Sequence, residues 1–378
     1  MTLPLLLDEH DAAPLVRAAF DGPIDVIGDV HGESGALDDL LRVLGYADRG
    51  EHPAGRRLVF IGDLCDRGPD SPAVIRRVQE MVAAGTAQCL LGNHELNVLR
   101  GVRKEANGWF FADDHDRRRG LYVDARPLGD DEAARREAWS FFASLPVVLE
   151  RADLRLVHAC WDDDRVEELR ELQGSVNAVE LYRRYAQRSD ERARALGRLE
   201  RVQALLERYG PQLHDPSADV PMLDAVAEHD VDYQMSNPLR VLTSGTEHRA
   251  AAPYYLAGKW RMVERGEWWR SYAADTPVLF GHYWRWPTPD TGERMGRHAR
   301  DPFPDRAAHE WLGARHTAFC NDYCVGARFA ERQGWPGQRF RTRLGAVRWP
   351  DRELLFDDGR GIELAVADAE RRALRTPG

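Results

Sequence analysis

Three short segments near the start of the chain place acidic, imidazole and amide side chains beside glycines. They read Gly28-Asp29-Val30-His31-Gly32, Gly62-Asp63-Leu64-Cys65-Asp66-Arg67-Gly68 and Gly92-Asn93-His94-Glu95. Oxygen and imidazole ligands of this kind hold divalent metal ions, and two metal ions close together favour phosphoryl transfer. Taken alone, Asp29 would read as a helix cap and Asn93 as a turn residue. The occurrence of all three segments in order is what indicates a metal site.

Short apolar runs come directly before these segments, at Ile24 to Ile27, Leu58 to Ile61 and Cys89 to Leu91. Runs this short, bounded by glycine, are typical of buried strands. Side chains at the end of a strand can point into a crevice, and the glycines allow a tight turn beneath them. Helical patterns follow after Ser34 and from Pro72 onward. Strand, acidic loop and helix therefore repeat, which indicates an α/β fold.

The segments GDVHG, GDLCDRG and GNHE resemble the signature of the calcineurin-like metallophosphoesterases. Within that family they are similar to the phosphoprotein phosphatase branch and its bacterial relatives, which include the symmetrical diadenosine tetraphosphate hydrolases. Two later strand-like runs that end in histidine, Leu156 to His158 and Val278 to His282, extend the resemblance. It implies one domain over residues 1–378, built as a four-layer α/β/β/α sandwich of two mixed sheets with a helical insert.

The resemblance also implies a pair of divalent metal ions. The ligands it implies are carboxylates, imidazoles and one amide: Asp29, His31, Asp63, Asn93, His158 and His282. Asp63 would be shared, with Asp29 and His31 completing one metal site and the remaining three ligands completing the other. Mixed oxygen and imidazole ligands suit Mn, Fe, Zn or Ni better than Ca. We expect manganese, with iron, zinc and nickel left open.

His94 is the candidate general acid that protonates the leaving oxygen. By resemblance, Asp66 supplies the carboxylate that orients its ring. A competing role for His94 is that of a metal ligand, which the neighbouring ligand Asn93 disfavours because adjacent side chains diverge.

Arg67 can donate two hydrogen bonds to phosphate oxygens. Many related protein phosphatases carry a further arginine just before GNHE, but this chain has Leu91 there. Arg240 is the candidate replacement and Arg249 its rival. Tyr283, in the aromatic cluster after His282, could stack on a nucleobase or could equally fill the base of a loop.

Residues 162–235 differ in character from the segments around them. They are rich in Arg, Glu, Leu and Ala, and Val179 to Tyr209 has the pattern of one or two amphipathic helices. We expect an insert between two ligand-bearing strands, where it could lie over the site as a lid or a substrate-specificity region. Its alternating charges are typical of a solvated face.

The remaining segments return to strand patterns. Ala318 to Arg328 and Arg343 to Trp349 are predicted strands, and Glu353 to Phe356 is expected to pair with the second of them across Pro350-Asp351. A charged helix is expected after Asp368.

Composition limits the classes of partner. The chain has 378 residues, 43% of them apolar, and a formal net charge of −10. That charge argues against general nucleic-acid binding, and no apolar run is long enough to span a bilayer. The start of the chain lacks a signal pattern and the five cysteines are an odd number, so we expect a cytoplasmic protein.

Three functions are open at this point. The preferred one is a dinuclear-metal phosphoesterase acting on phosphomonoesters, plausibly a serine/threonine protein phosphatase, because related symmetrical hydrolases often replace the residue at Asp66. The alternative is a dinucleoside polyphosphate or other nucleotide hydrolase, for which the aromatic cluster after His282 would serve the base. A non-catalytic scaffold is disfavoured because the full set of ligands is present.

Overall fold

The computed structural model describes residues 14–112, 115–172, 176–256, 258–287, 302–304, 306–334 and 336–364. Two mixed β-sheets form its centre, and a two-stranded hairpin lies apart from them. No helix among the described residues is long and apolar enough to cross a membrane.

The first sheet contains the strands that carry the three glycine-bounded segments. Its strands are β2 (Ile24–Ile27), β3 (Arg57–Phe60), β4 (Ala87–Cys89), β11 (Gly345–Trp349), β12 (Glu353–Phe356) and β13 (Gly361–Glu363). Their order across the sheet is β13-β12-β11-β2-β3-β4. β2, β3 and β4 run parallel, so their carboxyl ends share one edge. β11 and β12 form the predicted hairpin, with Arg348 opposite Glu353.

The second sheet carries the two later histidines. Its strands are β1 (Val16–Ala18), β5 (Val148–Arg151), β6 (Leu154–Val157), β9 (Val278–Phe280) and β10 (Ala318–Cys320), in the order β1-β5-β6-β9-β10. β6, β9 and β10 run parallel, and β5 pairs antiparallel with β6. The carboxyl ends of β6, β9 and β10 therefore lie side by side.

Alternate residues of each strand face two different layers. Val59 and Ile61 share an apolar cluster with Leu279 and other residues of the second sheet. Leu58 and Phe60, which alternate with them along the chain, join a larger cluster built with the helices. The period of two thus separates an inner sheet-to-sheet layer from helix-covered outer faces. The predicted four-layer α/β/β/α sandwich is confirmed.

Twelve helices lie in the described residues. They are α1 (Ser34–Leu44), α2 (Ser71–Ala83), α3 (Asn93–Leu99), α4 (Gly108–Phe111), α5 (His115–Arg118), α6 (Glu132–Ala143), α7 (Asp163–Glu171), α8 (Ala178–Ala195), α9 (Arg198–Tyr209), α10 (Asp224–Met235), α11 (Pro238–Ser244) and α12 (Arg328–Gly334). α1 buries Leu37, Leu40 and Leu44 along one face at helical spacing. Asp70 caps the start of α2: its carboxylate accepts the Ala73 N–H at 3.0 Å.

Most of the described residues within 162–235 lie in helices, as the sequence pattern predicts. α7 and α8 contribute to the large apolar cluster, whereas α9 and α10 share a small separate cluster with Met262. Met262 lies on β8 (Lys259–Arg265), which pairs antiparallel with β7 (Glu247–Leu256). This hairpin was not predicted, and it extends the helical region toward the site.

One predicted strand is wrong over most of its length. Of the segment Ala318 to Arg328, only Ala318–Cys320 is a strand. Beyond it, the Asp322 carboxylate accepts the Cys324 N–H at 2.8 Å and Cys324 adopts a φ of 64°. The chain then enters a 3-10 turn (Val325–Ala327) and α12. The helix predicted after Asp368 lies outside the described residues.

Candidate metal and phosphate site

The six predicted metal ligands all lie just beyond the carboxyl ends of strands. Asp29 and His31 follow β2, Asp63 follows β3, Asn93 follows β4, His158 follows β6 and His282 follows β9. Both sheets present these ends on one side, so the six side chains meet between them. Asp63 and His282 reach the site from left-handed backbone, with φ of 50° and 66°, a strained conformation that often accompanies functional residues.

Four ligand atoms surround one point. The amide oxygen of Asn93 lies 3.1 Å from His158 Nε2 and 2.8 Å from His282 Nδ1. His158 Nε2 also lies 3.3 Å from Asp63 Oδ1. The other nitrogen of His158, Nδ1, lies 2.7 Å from the Ile61 carbonyl oxygen, which fixes the ring orientation.

The second oxygen of Asp63 belongs to a neighbouring group of atoms. His31 Nε2 lies 3.7 Å from Asp63 Oδ2 and 3.9 Å from Asp29 Oδ2. His31 Nδ1 lies 3.0 Å from the Cys65 carbonyl oxygen, an arrangement that directs Nε2 toward the carboxylates. Because its two oxygens face two different groups, Asp63 is placed where a shared ligand would have to be.

The electrostatics of this cluster are those of crowded, buried charges. Burial raises the pKa of Asp63, but His158 and His94 outweigh burial and hold that pKa well below its usual range. Burial lowers the pKa of His158, yet Asp63 raises it to about 10. Burial, together with Asp322, raises the pKa of Asp29 well above its usual range. A cation among these carboxylates would relieve their repulsion.

The residues present fit a pair of divalent metal ions. Two overlapping groups of buried donors have their ligand atoms within 4.8 Å of one another: His31 with Asp63 and His94, and Asp63 with His158 and His282. Glycines keep the surrounding backbone close to the donors. A Cβ at Gly92 would lie 2.3 Å from Asp63 Oδ1, and one at Gly281 would lie 2.0 Å from Asp29 Oδ1.

His94 is held by Asp66, as predicted from the resemblance. Its Nδ1 lies 2.6 Å from Asp66 Oδ2, and the other carboxylate oxygen accepts the indole N–H of Trp109 at 2.5 Å. His94 Nε2 lies 3.8 Å from Asp63 Oδ2, so geometry alone also admits His94 as a ligand. Trp109 is a positioning residue that the sequence analysis missed, because its contact with Asp66 joins residues far apart in the chain.

Arg67 points into the same cluster. Its Nη1 lies 2.8 Å from His31 Nε2, and its Nη2 lies 3.2 Å from His94 Nε2. One nitrogen lone pair cannot serve both a guanidinium and a metal ion, so metal binding at His31 requires Arg67 to leave that nitrogen. The half-buried ring of Trp284, whose centroid lies 5.4 Å from Arg67 Cζ, borders the guanidinium.

Glu95 is a second residue that the sequence analysis missed. Its fully buried carboxylate accepts the backbone N–H groups of Asp63, Leu64 and Gly92 at 2.8 to 3.0 Å. These bonds tie the loop after β3 to the start of α3. The signal for it was the GNHE segment, in which an acid two residues beyond Asn93 lies at the third position of a helix and can reach back to its start.

Two predicted substrate-binding residues, Arg240 and Tyr283, are engaged by other protein groups. Arg240 lies on α11 and donates hydrogen bonds to the Tyr182 hydroxyl at 2.8 Å and to Gln234 Oε1 at 2.7 Å. Tyr283 is 2% exposed and packs edge-on against Trp269. A buried ring cannot stack on a substrate base, so the stacking role predicted for Tyr283 does not fit its position.

Two further charged residues, Arg249 and Asp322, differ in their surroundings. Arg249, the rival of Arg240, forms an ion pair with Asp224 at 2.6 Å. Asp322 is 1% exposed and follows β10 just as Asp29 follows β2. Among the described residues its Oδ2 has no hydrogen-bond partner. The same rule of strand ends would have predicted Asp322 had the strand been ended at Cys320.

Comparison with known proteins agrees with this geometry. The family model for calcineurin-like phosphoesterases matches residues 22–212, just over half of the chain. The chain belongs to the calcineurin-like phosphoesterase family. The matched range contains the carboxyl ends of β2, β3, β4 and β6. Five of the six predicted metal ligands of this phosphoesterase therefore lie inside it.

The similar proteins include nucleotide hydrolases and a phosphatase. The asymmetrical bis(5'-nucleosyl)-tetraphosphatase of Halalkalibacterium halodurans is 53% identical over 73 residues, which cover 18% of this chain and 30% of that protein. The symmetrical bis(5'-nucleosyl)-tetraphosphatase of Ralstonia nicotianae is 41% identical over 85 residues, covering 22% and 27%. The chain thus spans about a third or less of the length of these curated relatives.

A solved structure with wider coverage is the cold-active protein-tyrosine phosphatase of a psychrophilic Shewanella species. It is 15% identical and covers 94% of this chain and 83% of that chain, with a TM-score of 0.46.

Proposed function

We propose that this chain is a metal-dependent hydrolase of dinucleoside polyphosphates, of the diadenosine tetraphosphate type. The observation that carries the proposal is the 53% identity with a bis(5'-nucleosyl)-tetraphosphatase over 73 residues. A symmetrical enzyme of the same name is 41% identical over 85 residues. The sequence pattern alone favoured a protein phosphatase, and these relatives favour the alternative, which we adopt.

In this proposal the six predicted ligands would hold two divalent metal ions, with Asp63 as the residue that faces both groups of donors. When bound, such a pair lowers the pKa of a water molecule and offsets negative charge on phosphate oxygens. The donor set suits manganese, iron, zinc or nickel, and we propose manganese as the native metal.

His94 is proposed to protonate the leaving oxygen. The Asp66 carboxylate engages Nδ1 at 2.6 Å, so Nε2 is the nitrogen turned toward the cluster and available for proton transfer. Arg67, which reaches both His31 and His94, is proposed to bind the non-bridging phosphate oxygens through its forked donors. Negative charge gathers on those oxygens as the bond to the leaving group breaks.

A serine/threonine protein phosphatase remains the second candidate. The observation that favours it is Asp66, which by resemblance is often replaced in the symmetrically cutting hydrolases. Here Asp66 is buried and engages both His94 and Trp109, so its orienting role is available to either kind of substrate.

The helical region is proposed to decide substrate choice. We propose that the insert 162–235 acts together with the β7–β8 hairpin, because α9 and α10 share an apolar cluster with Met262 of β8. Deletion of residues 198–235 is expected to change substrate preference and to leave metal content intact.

A cytoplasmic location is proposed from the five buried free cysteines, which suit a reducing compartment.

Product analysis tests the proposed function. Manganese-loaded protein is incubated with diadenosine tetraphosphate, and the nucleotides are separated by anion-exchange chromatography. Two molecules of ADP, or one each of ATP and AMP, would support the proposal and would also define the position of the cut. Intact substrate beside rapid hydrolysis of an aryl phosphate would overturn it.

A further inference from the structure

A stripe of basic side chains leads away from the metal-ligand cluster. Six of them come from three parts of the chain: Arg100 and Lys104 after α3, Arg240 on α11, and Lys259, Arg261 and Arg265 on β8. Among the described residues, no carboxylate lies within ion-pair distance of any of these six. Many other arginines among the described residues do have an acidic partner, as Arg249 has in Asp224.

Strand geometry places the three cations of β8 on one face. Residues two apart point to the same side of a strand, so Lys259, Arg261 and Arg265 share a face opposite to that of Met262. Met262 is buried in the small apolar cluster, whereas Arg261 and Arg265 are exposed. From Arg265 to Arg261 the strand covers about 13 Å.

One end of this stripe touches the metal-ligand cluster. Arg265 Cζ lies 5.8 Å from the ring centroid of Tyr283, the residue directly after the ligand His282. Tyr283 in turn packs edge-on against the His282 ring, with the two ring centroids 5.3 Å apart. Arg265 therefore lies one side chain away from a predicted metal ligand.

The opposite side of the stripe begins at α3. Asn93 starts this helix and Arg100 caps its end, so Arg100 lies about 10 Å along the helix from the ligand. The Arg100 guanidinium stacks 3.7 Å from the Tyr182 ring centroid, and Arg240 donates to the hydroxyl of the same tyrosine. Tyr182 thus holds two cations side by side.

The cations are close enough to repel one another. Burial lowers the pKa of Lys104, and Arg100, Arg240, Arg261 and Lys259 lower it further. Two acids lie nearby, Asp230 and Glu247, and burial raises the pKa of both. Six cations against two acids leave a local excess of positive charge in a chain whose net charge is −10.

We propose that Arg265, Arg261 and Lys259, facing Arg100, Lys104 and Arg240, form a distal polyphosphate site that binds the phosphate groups beyond the scissile one. This inference deepens the proposed function and rests on it for the natural substrate, although the chemistry it requires is only a linear chain of phosphates. In this proposal a single phosphate at the metal site meets at most the Arg265 end of the stripe, whereas a polyphosphate leaving the site between β8 and α3 extends along β8 to Arg261 and Lys259. Their repulsion is then relieved by substrate.

Direct binding of tripolyphosphate to the full-length chain tests the site. The probe is supplied with excess magnesium, so that it does not strip metal from the protein, and titrated by calorimetry. The double variant Lys259→Gln/Arg261→Gln is expected to bind at least about tenfold more weakly than the wild type. The matched control Arg249→Gln removes a charge from the same hairpin at a position already paired with Asp224 and is expected to bind like the wild type. Circular dichroism and the melting temperature report whether each variant is folded.

Kinetics provide the second measurement. In the double variant the ratio of kcat/KM for diadenosine tetraphosphate to kcat/KM for an aryl phosphate is expected to fall about tenfold or more. Equal tripolyphosphate binding by wild type and double variant would overturn the site. If the double variant hydrolyses an acidic phosphopeptide more slowly but binds tripolyphosphate as the wild type does, the site is also overturned. The stripe would then be a binding surface for peptide substrates. Weaker tripolyphosphate binding in the variant, with no cleavage of the tetraphosphate by the wild type, would support the site and reject the proposed function alone.

Discussion

The Asp66 carboxylate and the His94 imidazole lie 2.6 Å apart, between Oδ2 and Nδ1. This contact leaves His94 Nε2 facing Asp63 and Arg67. The remaining oxygen of Asp66 accepts the indole N–H of Trp109. The His94 imidazole, the Asp66 carboxylate and the buried Trp109 indole thus form one chain of hydrogen bonds that ends at the cluster of predicted metal ligands.

Replacement of Trp109 by phenylalanine removes one link of that chain while keeping an aromatic ring in place. We expect kcat to fall roughly three- to tenfold, because Asp66 loses one fixed donor and holds His94 less firmly. Metal content, measured by elemental analysis, should stay at the wild-type level. The control Trp161→Phe removes an indole N–H that donates to Asp163 instead. If both variants lose activity equally, Trp109 has no special role.

Replacement of His94 by asparagine separates the two roles open to this residue. As a general acid, its loss should reduce kcat by a factor on the order of a hundred or more while both metal ions stay bound. Elemental analysis and kinetics on the same sample give the answer. Loss of metal from this variant would reassign His94 as a ligand.

Asp63 faces both groups of donors through its two oxygens. The Asp63→Ala variant should therefore lose both metal ions and essentially all activity. The control Asp70→Ala removes a nearby carboxylate whose role is to cap α2; it should keep its metals and lose about 1 kcal/mol of stability. An active, metal-loaded Asp63→Ala protein would refute the shared-ligand assignment.

The buried ion pair of Asp25 and Arg56 is expected to contribute strongly to the free energy of unfolding. Asp25 is fully buried and accepts from Arg56 at 2.7 Å and from the Tyr46 hydroxyl at 2.8 Å. Asp25→Ala leaves Arg56, itself only 9% exposed, without this partner and should cost about 3–5 kcal/mol. The exposed pair of Asp39 and Arg42 is the control, and Asp39→Ala should change the free energy of unfolding little. Denaturant unfolding measures both, and equal losses would contradict the account.

The cysteines provide a test of the fold that is independent of the site. All five are buried free thiols, and burial raises the pKa of Cys65, Cys89, Cys160 and Cys320. Because the thiolate is the reactive form, the native protein should react slowly with a thiol reagent at pH 8. All five should react in denaturant. Fast labelling of several native thiols would show that the packing described here is wrong.

The strand ends that carry the six predicted ligands could be located from sequence because each follows a local rule, whereas the ligand set itself came from the family resemblance. An apolar run ends, a glycine turns the chain and a polar side chain follows, as at Asp29 and Asp63. The same rule gave the parallel strands, whereas the layer order of the fold came from the family resemblance. It failed beyond Cys320, because the turn there is made by the Asp322 side chain, which apolar periodicity does not show.

Other features depend on contacts between distant parts of the chain. The bonds from Glu95 to the loop after β3, and from Trp109 to Asp66, appear only once the sheet is assembled. Tyr283 was predicted to meet substrate because it follows a strand end, but Trp269 covers it. Burial of an aromatic residue is set by its tertiary neighbours, so the sequence left both roles open.

The measurement that tests the central claim most directly is a rate comparison on manganese-loaded protein. Diadenosine tetraphosphate and a phosphoserine peptide are assayed side by side at matched concentrations, with kcat/KM as the readout. The account predicts faster turnover of the tetraphosphate. Faster turnover of the peptide would contradict it and would place the chain among the protein phosphatases.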